Sequence, residues 1–67
     1  MKKTIDDYIL EGFEGSRNSE TFTNFSDDEY IGYVTAMTIV NYGSKIAMSA
    51  AVVIFNVRKL MKEGKLK

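Results

Sequence analysis

Two carboxylate clusters are the first residues in this chain whose types and spacing could do chemistry: Asp6, Asp7 and Glu11, then Asp27, Asp28 and Glu29. Neighbouring acids can hold a divalent cation or divide acid and base roles between them. Each cluster also sits where a helix would begin. Thr4 precedes the first and Ser26 the second, and capping together with the helix dipole accounts for acids at such places. The 67 residues contain neither cysteine nor histidine. That removes disulfides, zinc sites of the usual kind, thiol chemistry and imidazole acid–base catalysis together. The expectation is a chain with no enzymatic activity, no cofactor and no metal, which acts by binding.

The elements that would position a binding surface are legible in part. In Phe25-Ser26-Asp27-Asp28-Glu29-Tyr30, Ser26 and Glu29 can satisfy each other's free amides as a capping box, with Phe25 and Tyr30 as the accompanying hydrophobic staple. This predicts a helix over 27–42, ended by Gly43 in the left-handed conformation. Ile46, Ala50, Val53, Val57 and Leu60 then recur at spacings of three and four, which predicts a continuous second helix over about 45–63, stopped by Gly64. The β-branched run Val52-Val53-Ile54 would suit a strand, but no turn signal brackets one. Thr4 can cap a short helix with Ile5, Tyr8 and Ile9 on one face, ending near Gly12. Residues 14–24 are polar and read as a loop, with Phe22 as its anchor. The expected fold is all-α: a single domain over 1–67, with a short helix and loop in 1–25 packed against a helical hairpin in 26–63, and a basic tail in 64–67.

Size and charge bear on how such a fold is held. At 67 residues and 45% hydrophobic, a lone core supplies only roughly 3–5 kcal/mol. With disulfides and metal excluded, oligomerisation is the remaining support. From Tyr30 to Val57 the chain is apolar-rich and carries one charge, Lys45. The nine acids and nine bases cancel but are segregated, every acid except Glu63 in the first half and most bases after Lys45. A basic end attracts phosphate or anionic lipid, while acids at helix starts and bases at a helix end also complement backbone dipoles. Antiparallel packing of the hairpin would bring Asp27, Asp28 and Glu29 near Arg58, Lys59 and Lys62. The opening Met1-Lys2-Lys3 runs into Ile5-Asp6-Asp7 and not into an apolar signal core, so the expected compartment is the cytoplasm.

The helix faces name the candidate surface. Ile46, Ala47, Ala50, Val53, Ile54, Val57, Leu60 and Met61 form the core face of the last helix. A second apolar stripe, Met48, Ala51, Val52 and Phe55, is continued by Arg58, Lys59 and Lys62. It is either covered by residues 1–25 or free as a docking surface with Phe55 as its anchor. On the middle helix, Tyr30, Tyr33, Val34, Ala36, Met37 and Val40 form one face, and Ile31, Ile39 and Tyr42 another, separated by Thr35, Thr38 and Asn41. A helix so weakly polar all round is usually buried on two sides, which favours a homodimer.

The segment Thr38 to Leu66 resembles a helix-turn-helix or winged-helix unit. Ile39, Tyr42 and Ile46 fall at the apolar positions of the first helix, Met48-Ser49 at the turn and its capping serine, and Val53, Val57 and Leu60 on the inward face of the recognition helix. Gly64 and Leu66 match the exit toward a wing. Ala47 stands where that family usually has the turn glycine. Ala50, Ala51, Ile54 and Phe55 occupy the outward positions, and apolar side chains there make no hydrogen bonds to base edges. A continuous helix is the preferred reading of this segment. A membrane span is disfavoured, because Ile46 to Val57 supplies twelve residues where about 20 are needed. The expected function is thus that of a protein–protein interaction module, modulating or inhibiting a macromolecular partner or serving as an assembly adaptor, with a degenerate DNA-binding regulator as the first alternative and a small membrane-associated protein as the second. By association, compact chains of this kind are common among accessory proteins of phages and mobile elements.

Overall fold

Local hydrogen bonding sets where each helix starts. In the computed structural model, which describes residues 2–66, the Ser26 hydroxyl accepts from the Glu29 amide and the Glu29 carboxylate accepts from the Ser26 amide. That capping box opens α2, Asp27–Tyr42. Thr4 and Asp7 make the same reciprocal pair at the start of α1, Ile5–Phe13. The third helix, α3, spans Ala50–Lys62, with the Ser49 hydroxyl accepting from the Val52 amide. Residues 14–25 hold two single 3₁₀ turns, Ser16–Asn18 and Glu20–Phe22. The fold is all-α as expected, and the described residues form no strand.

The α3 start corrects the expected helix over 45–63. Apolar spacing alone runs back to Ile46, but Ser49 takes an extended backbone and caps Val52, so residues 44–49 are connection and not helix. The preferred continuous helix is thereby overturned, and the capping serine expected from the helix-turn-helix resemblance is present. Ala47 and Ala50 consequently leave the expected core face and are exposed. Gly43 is corrected too. It is right-handed, at φ −61°, and its role is closeness: a Cβ there would stand 2.5 Å from the Ile39 carbonyl oxygen, whose bond from the Gly43 amide is 2.8 Å long.

The other end of α3 follows the sequence expectation. Gly64 is left-handed at φ +77°, the Lys65 amide reaches the Leu60 carbonyl at 2.9 Å and the Gly64 amide reaches Met61 at 3.1 Å. This paired 6→1 and 5→2 arrangement is a Schellman motif. It turns Leu66 back into the core at 4% exposure, so the expected basic tail contributes a core residue.

α2 and α3 form the main packing pair and α1 rests on both. Ile9, Tyr30, Val34, Val53 and Val57 are fully buried between them, closed at the ends by Phe13, Ile31, Leu60 and Leu66. Of the polar residues separating the two apolar faces of α2, Thr35 and Thr38 are buried and Asn41 is exposed. Neither hydroxyl has a hydrogen-bond partner among the described residues. Such a methyl-bearing polar side chain fills core space much as valine would, at a desolvation cost for its oxygen.

Candidate interaction surface

The aromatic residues of the loop decide whether the second stripe is covered. Phe22 stands edge-on to Tyr30 and Tyr33, with ring centroids 5.6 and 5.4 Å away. Phe25 meets Tyr33 at 5.9 Å and Phe22 at 5.4 Å. Phe13 meets Tyr33 at 6.5 Å. The staple partner of Tyr30 is thus Phe22, and Phe25 packs one turn farther along α2. Tyr30 further fixes the loop by a 2.8 Å hydrogen bond with the Ser16 hydroxyl and by the Arg17 guanidinium lying over its ring. These rings gather on α2, and Val52 and Phe55 of α3 are left exposed, although Asp6 of α1 reaches Lys59 in the same stripe.

On that face Phe55 is 68% exposed and Val52 46%. Ala51, Arg58 and Lys62 are exposed beside them. Met48 departs from the expected stripe: it lies in the connection before Ser49 and packs partly buried against the core. A shallow hollow of about 350 Å³ is lined by Phe55, Arg58, Lys59 and Lys62.

The cations around Phe55 are not equivalent. Lys59 donates to the Asp6 carboxylate at 2.7 Å, and that hydrogen bond holds its ammonium above the ordinary lysine range. Arg58 and Lys62 make no ion pair among the described residues. They border a second cleft of about 560 Å³ whose far wall carries Asp27 and Asp28. The expected approach of the α2 acids to Arg58 and Lys62 therefore occurs as two walls of one cleft. The pairing partner of Asp27 is Arg17, and that of Lys59 is Asp6 of α1.

A second uncovered apolar face lies on α2. Val40 is 74% exposed and Tyr33 41%, and Gly32 and Ala36 on the same side are exposed as well. Apolar helical spacing alone groups Tyr33, Ala36 and Val40 with the buried Tyr30 and Val34. Only packing separates the two sets.

The chemistry these surfaces offer is apolar burial with a cationic border. Among the described residues no three acidic side chains converge as a metal cage would require, and no helix is long and apolar enough to cross a membrane. The helix-turn-helix resemblance keeps its inward residues, Val53, Val57 and Leu60. Its connection, Gly43 to Ser49, is longer than the usual turn of about 3–4 residues. Comparison with known families, curated proteins and solved structures returns no match, so the surface is characterised by its own geometry.

Proposed function

We propose that this chain is a non-catalytic protein-interaction module whose α3 face receives an acidic segment of a partner protein bearing one large apolar side chain. The observation that carries the reading is Phe55, a large apolar ring 68% exposed on α3 and bordered by Arg58 and Lys62, which make no ion pair among the described residues. Aromatic anchors in partly formed hollows dominate binding energy, and charged rims select and steer the partner. An apolar residue would enter the hollow beside Phe55 while carboxylates meet the two cations. Modulation of the partner or adaptor work in an assembly are the roles such a module can serve.

The test is selection from a displayed peptide library with the full chain as bait. Selected peptides should combine acidic residues with an aromatic or aliphatic anchor, and Phe55→Glu should abolish their binding while α-helical circular dichroism persists. Peptides that bind Phe55→Glu and an Arg58→Glu/Lys62→Glu variant as well as the wild type would remove the α3 face from the reading.

A degenerate DNA-binding regulator is the second reading, favoured by the break before Ser49 and the inward set of α3. It predicts binding to duplex DNA that weakens steeply with salt and with loss of Arg58. No binding at low salt would eliminate it.

A further inference from the structure

Gly32 has no explanation within a single copy of the chain. It lies in the middle of α2, where glycine disfavours helix. Its φ is not positive, and a Cβ added to it would meet nothing within 4 Å. No neighbour needs the space that its missing side chain leaves. That space lies on the outer face that also carries Ala36 and the 74% exposed Val40.

From this face we infer that two copies of the chain pair through α2, antiparallel, about a two-fold axis at Ala36. The pairing rests on shape and charge. With the axis at Ala36, Gly32 of each copy faces Val40 of the other, so the exposed branched side chain fills the hollow left by glycine. Ala36 meets Ala36 and permits close approach of the helices, with Tyr33 along the border. A parallel pair would set Val40 against Val40, leave Gly32 opposite Gly32, and bring both sets of Asp27, Asp28 and Glu29 together. In the same register the antiparallel pair instead places Asp27 and Asp28 opposite Lys45 and Ser44 of the second copy. Lys45 is exposed and makes no ion pair among the described residues. Isologous contact of this kind is the commonest form of oligomer. One helix face is a small interface, at the low end of specific contacts and of moderate affinity. The inference goes beyond the protein-binding reading and does not depend on it, because it uses α2 and leaves the α3 face outward.

The experiment is sedimentation equilibrium of the full chain from about 5 to 500 µM, a range suited to a small interface, on wild type, Val40→Lys, Lys45→Glu and Phe55→Glu. Each variant changes an exposed side chain, and circular dichroism verifies its fold. The expected result is a wild-type dimer, at least tenfold weakened in Val40→Lys, weakened in Lys45→Glu and unchanged in Phe55→Glu. A wild type that stays monomeric throughout overturns the pairing, as does a dimer lost in Phe55→Glu but kept in Val40→Lys. Orientation is read by cross-linking, for which the chain's lack of cysteine gives a clean background. An antiparallel pair separates the two copies of residue 40 by about 12 Å along the axis, from a rise of ~1.5 Å per residue, beyond the reach of a disulfide. Ala36→Cys should therefore oxidise to a covalent dimer and Val40→Cys should not. Equal cross-linking of both would overturn the antiparallel arrangement.

Discussion

Lys59 of α3 and Asp6 of α1, separated by 53 positions in the sequence, are joined by a 2.7 Å hydrogen bond. This contact engages one of three neighbouring cations and leaves Arg58 and Lys62 without an ion pair among the described residues. It follows that Lys59→Gln should alter affinity for a selected acidic peptide less than about twofold, whereas Arg58→Gln and Lys62→Gln should each weaken it about two- to fivefold, the usual range for charges at a rim. Isothermal titration of the three variants measures this. A loss at Lys59 equal to that at Arg58 would mean that the Asp6 contact opens on binding.

The α2 cap should be sensitive to acid. Its hydrogen bonds with the Ser26 amide, first, and the Ser26 hydroxyl, second, lower the Glu29 pKa below the ordinary 4.5. A group whose folded pKa is depressed stabilises the fold above its unfolded pKa and loses that contribution as pH falls through the folded value. Glu29→Gln should therefore unfold at a midpoint less dependent on pH below about 4.5 than the wild type does. Thermal melts at stepped pH decide it, and parallel curves for the two proteins would remove the carboxylate from the account.

Thr38 is buried completely and its hydroxyl has no hydrogen-bond partner among the described residues. Thr38→Val preserves shape and removes the stranded oxygen, so it should stabilise the chain by about 1 kcal/mol. Urea denaturation gives the value, and a loss of similar size would mean that the hydroxyl is satisfied in solution.

Gly32 within α2 and Gly43 at its end should respond oppositely to the same substitution. Gly43→Ala places a methyl 2.5 Å from the Ile39 carbonyl and should cost about 1–3 kcal/mol, as overpacking does. Gly32→Ala meets open space and should stabilise the dilute chain by about 0.5–1 kcal/mol. Chemical denaturation at low protein concentration compares them directly.

Leu66 should matter far more than its place one residue from the end suggests. Leu66→Ala removes a side chain 4% exposed and should cost about 2–4 kcal/mol. A change below half of that, in the same denaturation assay, would mean that the turn after α3 is not held in solution.

These effects also mark where the sequence was readable. The starts of α1 and α2 are written locally, in Thr4 with Asp7 and Ser26 with Glu29, and both boxes form. The start of α3 was misplaced because Ile46 keeps step with Ala50 and Val53, so periodicity runs through a connection that only the Ser49 cap interrupts. Gly43 does end α2, but through a close carbonyl that a one-dimensional pattern does not display and not through a left-handed backbone. Thr35 and Thr38 read only as a polar separation between two apolar faces, and their burial follows from methyl groups that suit a core. Of the candidate surface, Val52 and Phe55 stand exposed in the stripe that the helical wheel defined. The diversion of Lys59 to Asp6 and of Met48 to the core required the packing of α1 and the connection.

Tyr30 holds the long polar segment by its ring and its hydroxyl while being fully buried itself. Opening of the segment should therefore require release of Tyr30, unlike the independent opening that surface loops usually show. Its amides should exchange with solvent in step with those of α2, so that an apparently irregular stretch of chain and a regular helix unfold as one cooperative unit.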